Sequence, residues 1–206
     1  FCESLSCVPP TTSMELRAYE ISKEIKALGN GLFKGEQPRF NFIHEYNKVK
    51  PSKGVAPKKN ETGFALRLIF SYFTDYGDPL IDPNLSSYPE GLLQELAEMG
   101  VNGIWIHSVL RMLVPPDGIF PGEEDYLQRI NGLKRLVDRA SKYGIGIYLY
   151  ANEPRGMSAS FFKSKEERMK LGGVKEGDMQ AFCTSEPEVL NWLSRSFEKV
   201  FHEVPG

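Results

Sequence analysis

An α/β domain built on a parallel sheet is the fold class this sequence predicts. Three observations predict it. Short apolar runs begin at Leu66, Val101 and Ile145 and break off in polar clusters. Segments of helical apolar spacing fill the intervals between them, and Gly100 and Gly144 stand where those segments stop. Strand and helix in alternation imply right-handed crossovers and parallel pairing. In such folds functional groups gather where the strands end, because the loops there converge over the sheet.

Residues 1–12 carry no periodic pattern, and Pro9 with Pro10 argues against a helix. From Ser13 to Leu28, the positions Leu16, Ile21, Ile25 and Leu28 recur at helical spacing, Ser13 is a candidate N-cap, and Gly29 stops the run. Residues 30–62 are rich in Gly, Pro, Lys and Asn and read as a linker. Its lysines, Lys48, Lys50, Lys53, Lys58 and Lys59, have no interleaved aromatics, so a solvated segment is expected rather than a nucleic-acid patch. A boundary is expected near Thr62, with 1–62 the tail of a preceding domain plus linker and 63–206 a second unit.

Leu66 to Phe73, LRLIFSYF, is a nearly continuous apolar run, the pattern of a strand covered on both faces. A loop with Asp75, Asp78 and Asp82 follows, then a helix over Tyr88–Met99 with Leu92, Leu93, Leu96 and Met99 as its stripe. Val101–Ile106 is the second strand, leading into His107, Ser108 and Arg111. Glu123–Tyr143 predicts a long helix with Leu127, Ile130, Leu133, Val137 and Ala140 on one face and basic residues toward its carboxyl end, which suits the macrodipole. The third strand, Ile145–Tyr150, ends at once in Asn152, Glu153, Pro154 and Arg155.

Beyond it, Ser158–Lys170 predicts a short helix anchored by Phe161 and Phe162 and broken by Gly172, Gly173 and Gly177, and Met179–Cys183 a short extended segment. Ser185 with Glu188 has the spacing of a capping box, and Pro187 falls in the first turn, where its missing amide costs nothing. The helix that follows carries Val189, Leu190, Leu193, Phe197, Val200 and Phe201. Three parallel strands do not close a barrel, whose full form takes roughly 250 residues. The expectation is therefore a partial (β/α)8 TIM barrel of about three β/α units, the first half of the barrel, truncated before its fourth strand and preceded by a helix and linker from another domain.

Composition narrows the function. A net charge of −2 over 206 residues gives no whole-chain field for nucleic acid or an anionic membrane, and no apolar stretch is long enough to span a bilayer. Cys2, Cys7 and Cys183 are too few for a disulfide framework and include no CxxC pair, which leans toward a cytoplasmic location. The opening FCESLSCVPP has neither the basic nor the apolar region of a signal peptide. His44 and His202 lack metal-ligand spacing, and Gly172, Gly173 and Gly177 follow a helix without the Lys-Ser/Thr of a phosphate loop, so neither metal nor cofactor is expected. No pattern sets an oligomeric state.

Three stretches carry a resemblance: GVNGIWIHSV, then YGIGIYLYANEPRGM, then FCTSEPEVLNWLSRSFEKVF running into VPG. Together they resemble the early barrel of glycoside hydrolases related to the hexosaminidase family, over about Leu66 to Gly206. Its most specific part is the Thr184–Val189 element placed after the third strand. Where that family has Asp-x-Pro-Gly-His after the third strand, this chain has Asn152, Glu153, Pro154 and Arg155. The resemblance implies a carbohydrate substrate, a sugar-binding role for Arg67, and catalytic carboxylates on a fourth strand. Asn-Glu-Pro is also similar to the acid/base motif of the large clan of retaining barrel glycosidases, which implies Glu153 as proton donor and Asn152 on the sugar 2-hydroxyl.

Three roles thus stand open for Glu153: general acid, substrate contact, or a structural pair or cap with Arg155. Asn152, Arg155, His107 and Asp75 are candidate substrate-binding residues. For Arg67 a salt bridge at the strand base is the alternative, for Asp75 and Asp78 the turn-forming role of aspartates, and for His107 a structural histidine. Tyr72, Tyr76 and Tyr150 are candidate sugar platforms, whereas Trp105, inside its strand, is expected to serve core packing.

Overall fold

The computed structural model describes residues 46, 48, 63–70, 78–81, 88–151 and 153–205. They belong to one compact unit, Phe42–Gly206. The helix expected at 13–28, and the linker apart from residues 46 and 48, lie outside the described residues. In chain order come β1 (Leu68–Phe70), α1 (Glu90–Glu98), β2 (Gly103–His107), a 3-10 turn (Leu110–Leu113), α2 (Tyr126–Ser141) and β3 (Gly146–Tyr150). There follow β4 (Met157–Ser158), α3 (Ala159–Lys163), α4 (Glu166–Met169), β5 (Gly172–Glu176), β6 (Met179–Phe182) and α5 (Pro187–Glu203).

The first three strands form a parallel sheet in chain order, β1-β2-β3. Register aligns Ile69 with Ile104 and Ile147, and Ile106 with Leu149. Side chains alternate across a strand, so these five share one face, while Leu68, Phe70, Trp105, His107, Tyr148 and Tyr150 share the other. Leu93 and Leu96 of α1, Ile130, Leu133 and Leu136 of α2, and Val200 of α5 pack with the isoleucine face in one core. Both crossover helices therefore cover the same side. The opposite face is open among the described residues, with Leu68 46% and Tyr148 43% exposed. Among the described residues, the cover on both faces expected for the first strand is found on one only: Ile69 lies on the aliphatic face packed by helices, while Leu68, on the other, is 46% exposed. The architecture is mixed α/β with β-α-β units, and no closed barrel is present among the described residues.

A second core gathers Phe120, Phe162, Leu171, Phe182, Val189 and Trp192 beneath a small antiparallel sheet of order β4-β6-β5. Trp192 stacks on Phe120 at 5.0 Å between ring centroids, nearly parallel. The single helix expected over Ser158–Lys170 is two short ones, divided at Ser164 and Lys165. The glycines after it do not merely break a helix. Gly172 and Gly173 open β5, where a Cβ on Gly173 would press within 3.2 Å of the Cys183 backbone, and Gly177, at φ 55°, makes the tight turn into β6.

Helix stripes are rotated from their expected centres. Met99, Leu127, Leu190 and Phe201 are exposed, while Leu136 and Trp192 are buried. The N-cap of α5 is Glu186, in extended backbone and without a side-chain cap hydrogen bond, with Pro187 as the first helical residue. Ser185 stands one position too early to cap, so the expected capping box is corrected. Ser185→Ala should accordingly change unfolding free energy by less than about 0.5 kcal/mol, the range of a plain surface substitution, rather than the ~1 kcal/mol of a lost cap. Urea denaturation checks this.

Candidate functional site

The carboxyl ends of β2 and β3 are tied together by two hydrogen bonds, and a third closes the loop after β3. The Ser108 amide donates to the Tyr150 carbonyl at 3.0 Å. Past that point the backbones diverge, and Glu153 spans the gap: its Oε1 accepts from the Leu110 amide at 2.8 Å and its Oε2 from the Arg155 amide at 2.8 Å. One carboxylate thus starts the 3-10 turn after β2 and folds back its own loop after β3, whose Glu153–Pro154 peptide is cis. Leu110 and Leu113 are buried on either side of Arg111, so the turn is anchored by its apolar residues and leaves Arg111 half-exposed.

Two half-buried guanidiniums flank this junction. Arg111 Nη1 donates to the Met157 thioether at 3.4 Å, a weak acceptor. Arg155 Nε is shielded from solvent without a hydrogen-bond partner. No carboxylate lies within 4.0 Å of either among the described residues, and the contrast with Arg129 is direct. Arg129 donates Nε to Asp78 at 2.6 Å and Nη1 to Asp125. Burial works against its charge, but the hydrogen bonds to Asp125 and Asp78 outweigh burial and raise its pKa above the usual guanidinium value.

On the open face, the aromatics run toward the same end of the sheet. Phe70 and Trp105 lie 4.2 Å apart, Trp105 meets Tyr150 edge-on at 4.6 Å, and His107 meets Tyr150 edge-on at 5.0 Å. Such packing holds the rings rigid while leaving Tyr150, at the strand end, partly exposed.

His107, Glu153 and Arg155 are therefore brought together at the strand ends. Arg67 is not among them. It precedes β1 at the amino end of the sheet, where its amide donates to Asn102 Oδ1 at 2.7 Å and its Nε to the Gly100 carbonyl, joining β1 to the turn before β2. Asn152, Asp75, Tyr72 and Tyr76 lie outside the described residues. Asp78 accepts from the Leu80 amide at 3.1 Å and pairs with Arg129, a turn-forming role. Trp105 packs, as expected, but in the open-face ladder rather than in the helix-covered core. Arg111 was not singled out by sequence reasoning as a binding residue. The available signal was its place in the loop directly after a strand, without a neighbouring acid in the sequence.

The arrangement offers planar aromatic surface, an imidazole, and guanidinium donors around a fixed loop, the equipment for holding a polar ligand that also has an apolar face. Among the described residues no group of His, Cys, Asp and Glu could hold a metal ion, and no helix is long and apolar enough to cross a membrane. Comparisons with protein-family models, curated proteins and solved structures give no match.

Proposed function

We propose that residues 63–206 form the first half of a (β/α)8 barrel of the glycoside hydrolase type, and that its strand ends bind carbohydrate. The observation that carries this reading is the winding of the sheet. Strand order follows chain order and α1 and α2 cover one face, whereas an open doubly wound sheet reverses its order and takes helices on both sides. The uncovered aromatic face then corresponds to the barrel interior, and Tyr150 and His107 stand at its functional rim. The resemblance to hexosaminidase-related enzymes points the same way.

In the complete barrel, one carboxylic acid protonates the glycosidic oxygen, and a second carboxylate or the substrate's own acetamido group stabilises the oxocarbenium-like transition state. Asn152, Glu153, Arg155 and His107 hold sugar hydroxyls near that centre, Asp75 adds a contact from the loop after β1, and Tyr150 supplies a platform. A non-catalytic carbohydrate-binding module on the same fold is a second reading, favoured by one observation: both Glu153 oxygens already accept from backbone amides, which suits a positioning carboxylate better than a proton donor.

Trp105 provides the test. In a Trp192→Phe variant the remaining tryptophan reports only on the open face. Titration with neutral N-acetylhexosamine and hexose oligosaccharides should give a saturable fluorescence change. A flat response to the whole panel and to uronate and sugar-phosphate ligands alike, with the variant folded by circular dichroism, would refute carbohydrate binding at this face.

A further inference from the structure

We infer that the saccharide bound at these strand ends carries an anionic group, a carboxylate or a phosphate or sulfate ester, held by Arg111 and Arg155. The inference rests on the carbohydrate reading and deepens it. Neither guanidinium has an internal counter-charge among the described residues, although both are half-buried. Arg155 Nε is out of solvent and unpartnered, and Arg111 has only the thioether of Met157, two residues beyond Arg155. A cation removed from water is normally paired. Arg129 and Arg168 follow that rule: Arg129 has Asp78 and Asp125, and Arg168 donates to the carbonyls of Ile119 and Gly118.

The acid nearest in sequence, Glu153, pairs with neither guanidinium: its two oxygens accept from the Leu110 and Arg155 backbone amides. Its negative charge therefore fixes the loop while the guanidinium donors stay open. Guanidinium suits an anionic ligand in such a place, since its fork matches carboxylate and phosphate oxygens and its weak hydration makes partial burial tolerable. A neutral sugar would leave both charges uncompensated when it excluded water from them.

The test titrates the full chain with glucose, glucuronate, glucose 6-phosphate and inorganic phosphate, at low and high salt. One of the two charged sugars should bind at least about tenfold more tightly than glucose, the scale of one charge-assisted hydrogen bond, and which one binds separates the carboxylate from the phosphate source. That preference should weaken with salt and disappear in Arg155→Gln, with Arg111→Gln as the second variant should the first fail to fold. Equal binding of glucose and both charged sugars would overturn the anionic group while leaving the carbohydrate reading intact. Inorganic phosphate binding as tightly as glucose 6-phosphate, with no response to glucose or glucuronate, would overturn the saccharide reading and this substrate class with it. Silence from all four ligands would overturn both.

Discussion

Glu153→Ala should destabilise the chain by about 3 kcal/mol and abolish saccharide binding at the sheet's carboxyl end. The magnitude follows from what the side chain holds. Two amide donors, Leu110 and Arg155, each 2.8 Å from a carboxylate oxygen, lose a charged acceptor at once. Hydrogen bonds to charged groups contribute roughly 1.5–3 kcal/mol each, and the orphaned amides sit in half-buried backbone where water replaces the acceptor only in part. The binding loss follows because the 3-10 turn bearing Arg111 and the loop bearing Arg155 have Glu153 as their shared link. Glu153→Gln retains one acceptor oxygen but turns an NH2 toward the other donor, so about half the stability loss is expected. Guanidinium chloride unfolding of both variants measures the first effect, and titration calorimetry the second. If the proposed hydrolase reading holds, Glu153→Gln in the active enzyme should weaken substrate binding more than it slows bond cleavage. A collapse of turnover at unchanged affinity would instead make Glu153 the proton donor.

Gly132→Ala is the second large effect, and its sign is the informative part. In an exposed helix interior this change stabilises by ~1 kcal/mol, through backbone entropy and propensity. Here Gly132 faces the loop after β1: an added Cβ would collide with the Leu80 carbonyl oxygen and lie 2.7 Å from its carbon, so backbone has to move. The loop cannot retreat freely, because Asp78 holds it to Arg129 on the preceding turn of α2. Overpacking of this kind costs roughly 1–3 kcal/mol or more, and a net loss of about 2 kcal/mol is expected. Combining Gly132→Ala with Asp78→Asn should cost less than the sum of the two, since both loosen the same loop. Thermal and urea unfolding of the single and double variants decide it; a more stable Gly132→Ala protein would mean the loop does not rest on α2.

The β/α alternation was legible because each unit announces itself locally. Leu93 and Leu96 repeat at helical spacing and are buried, Gly100 and Gly144 close the helices at positive φ, and the short apolar runs from Val101 and Ile145 that break off in polar clusters mark the strands. Which side of the sheet is covered was not legible. LRLIFSYF is apolar on both of its faces, and only the cross-strand register assigns Ile69 to the helices and Phe70 to the aromatic ladder.

The β5–β6 hairpin was misread for a related reason. Its glycines suit a helix break as well as a strand that must approach another backbone closely, although Gly177-Asp178 between extended segments was a usable hairpin signal. At the site, His107, Glu153 and Arg155 followed from strand ends alone. The bond between Glu153 and Leu110 joins residues 43 apart, and the lack of an acidic partner for Arg111 and Arg155 among the described residues depends on where the acids lie in the fold. Neither can be found by scanning along the chain.

The most direct test of the central claim, carbohydrate bound where β2 and β3 end, is an amide NMR titration of the chain with an oligosaccharide that binds. The largest shifts should fall on residues 107–111 and 150–157, with His107, Leu110 and Arg155 among them. Shifts confined to the β5–β6 hairpin or to the outer surfaces of α1 and α2, with the strand ends silent, would contradict it.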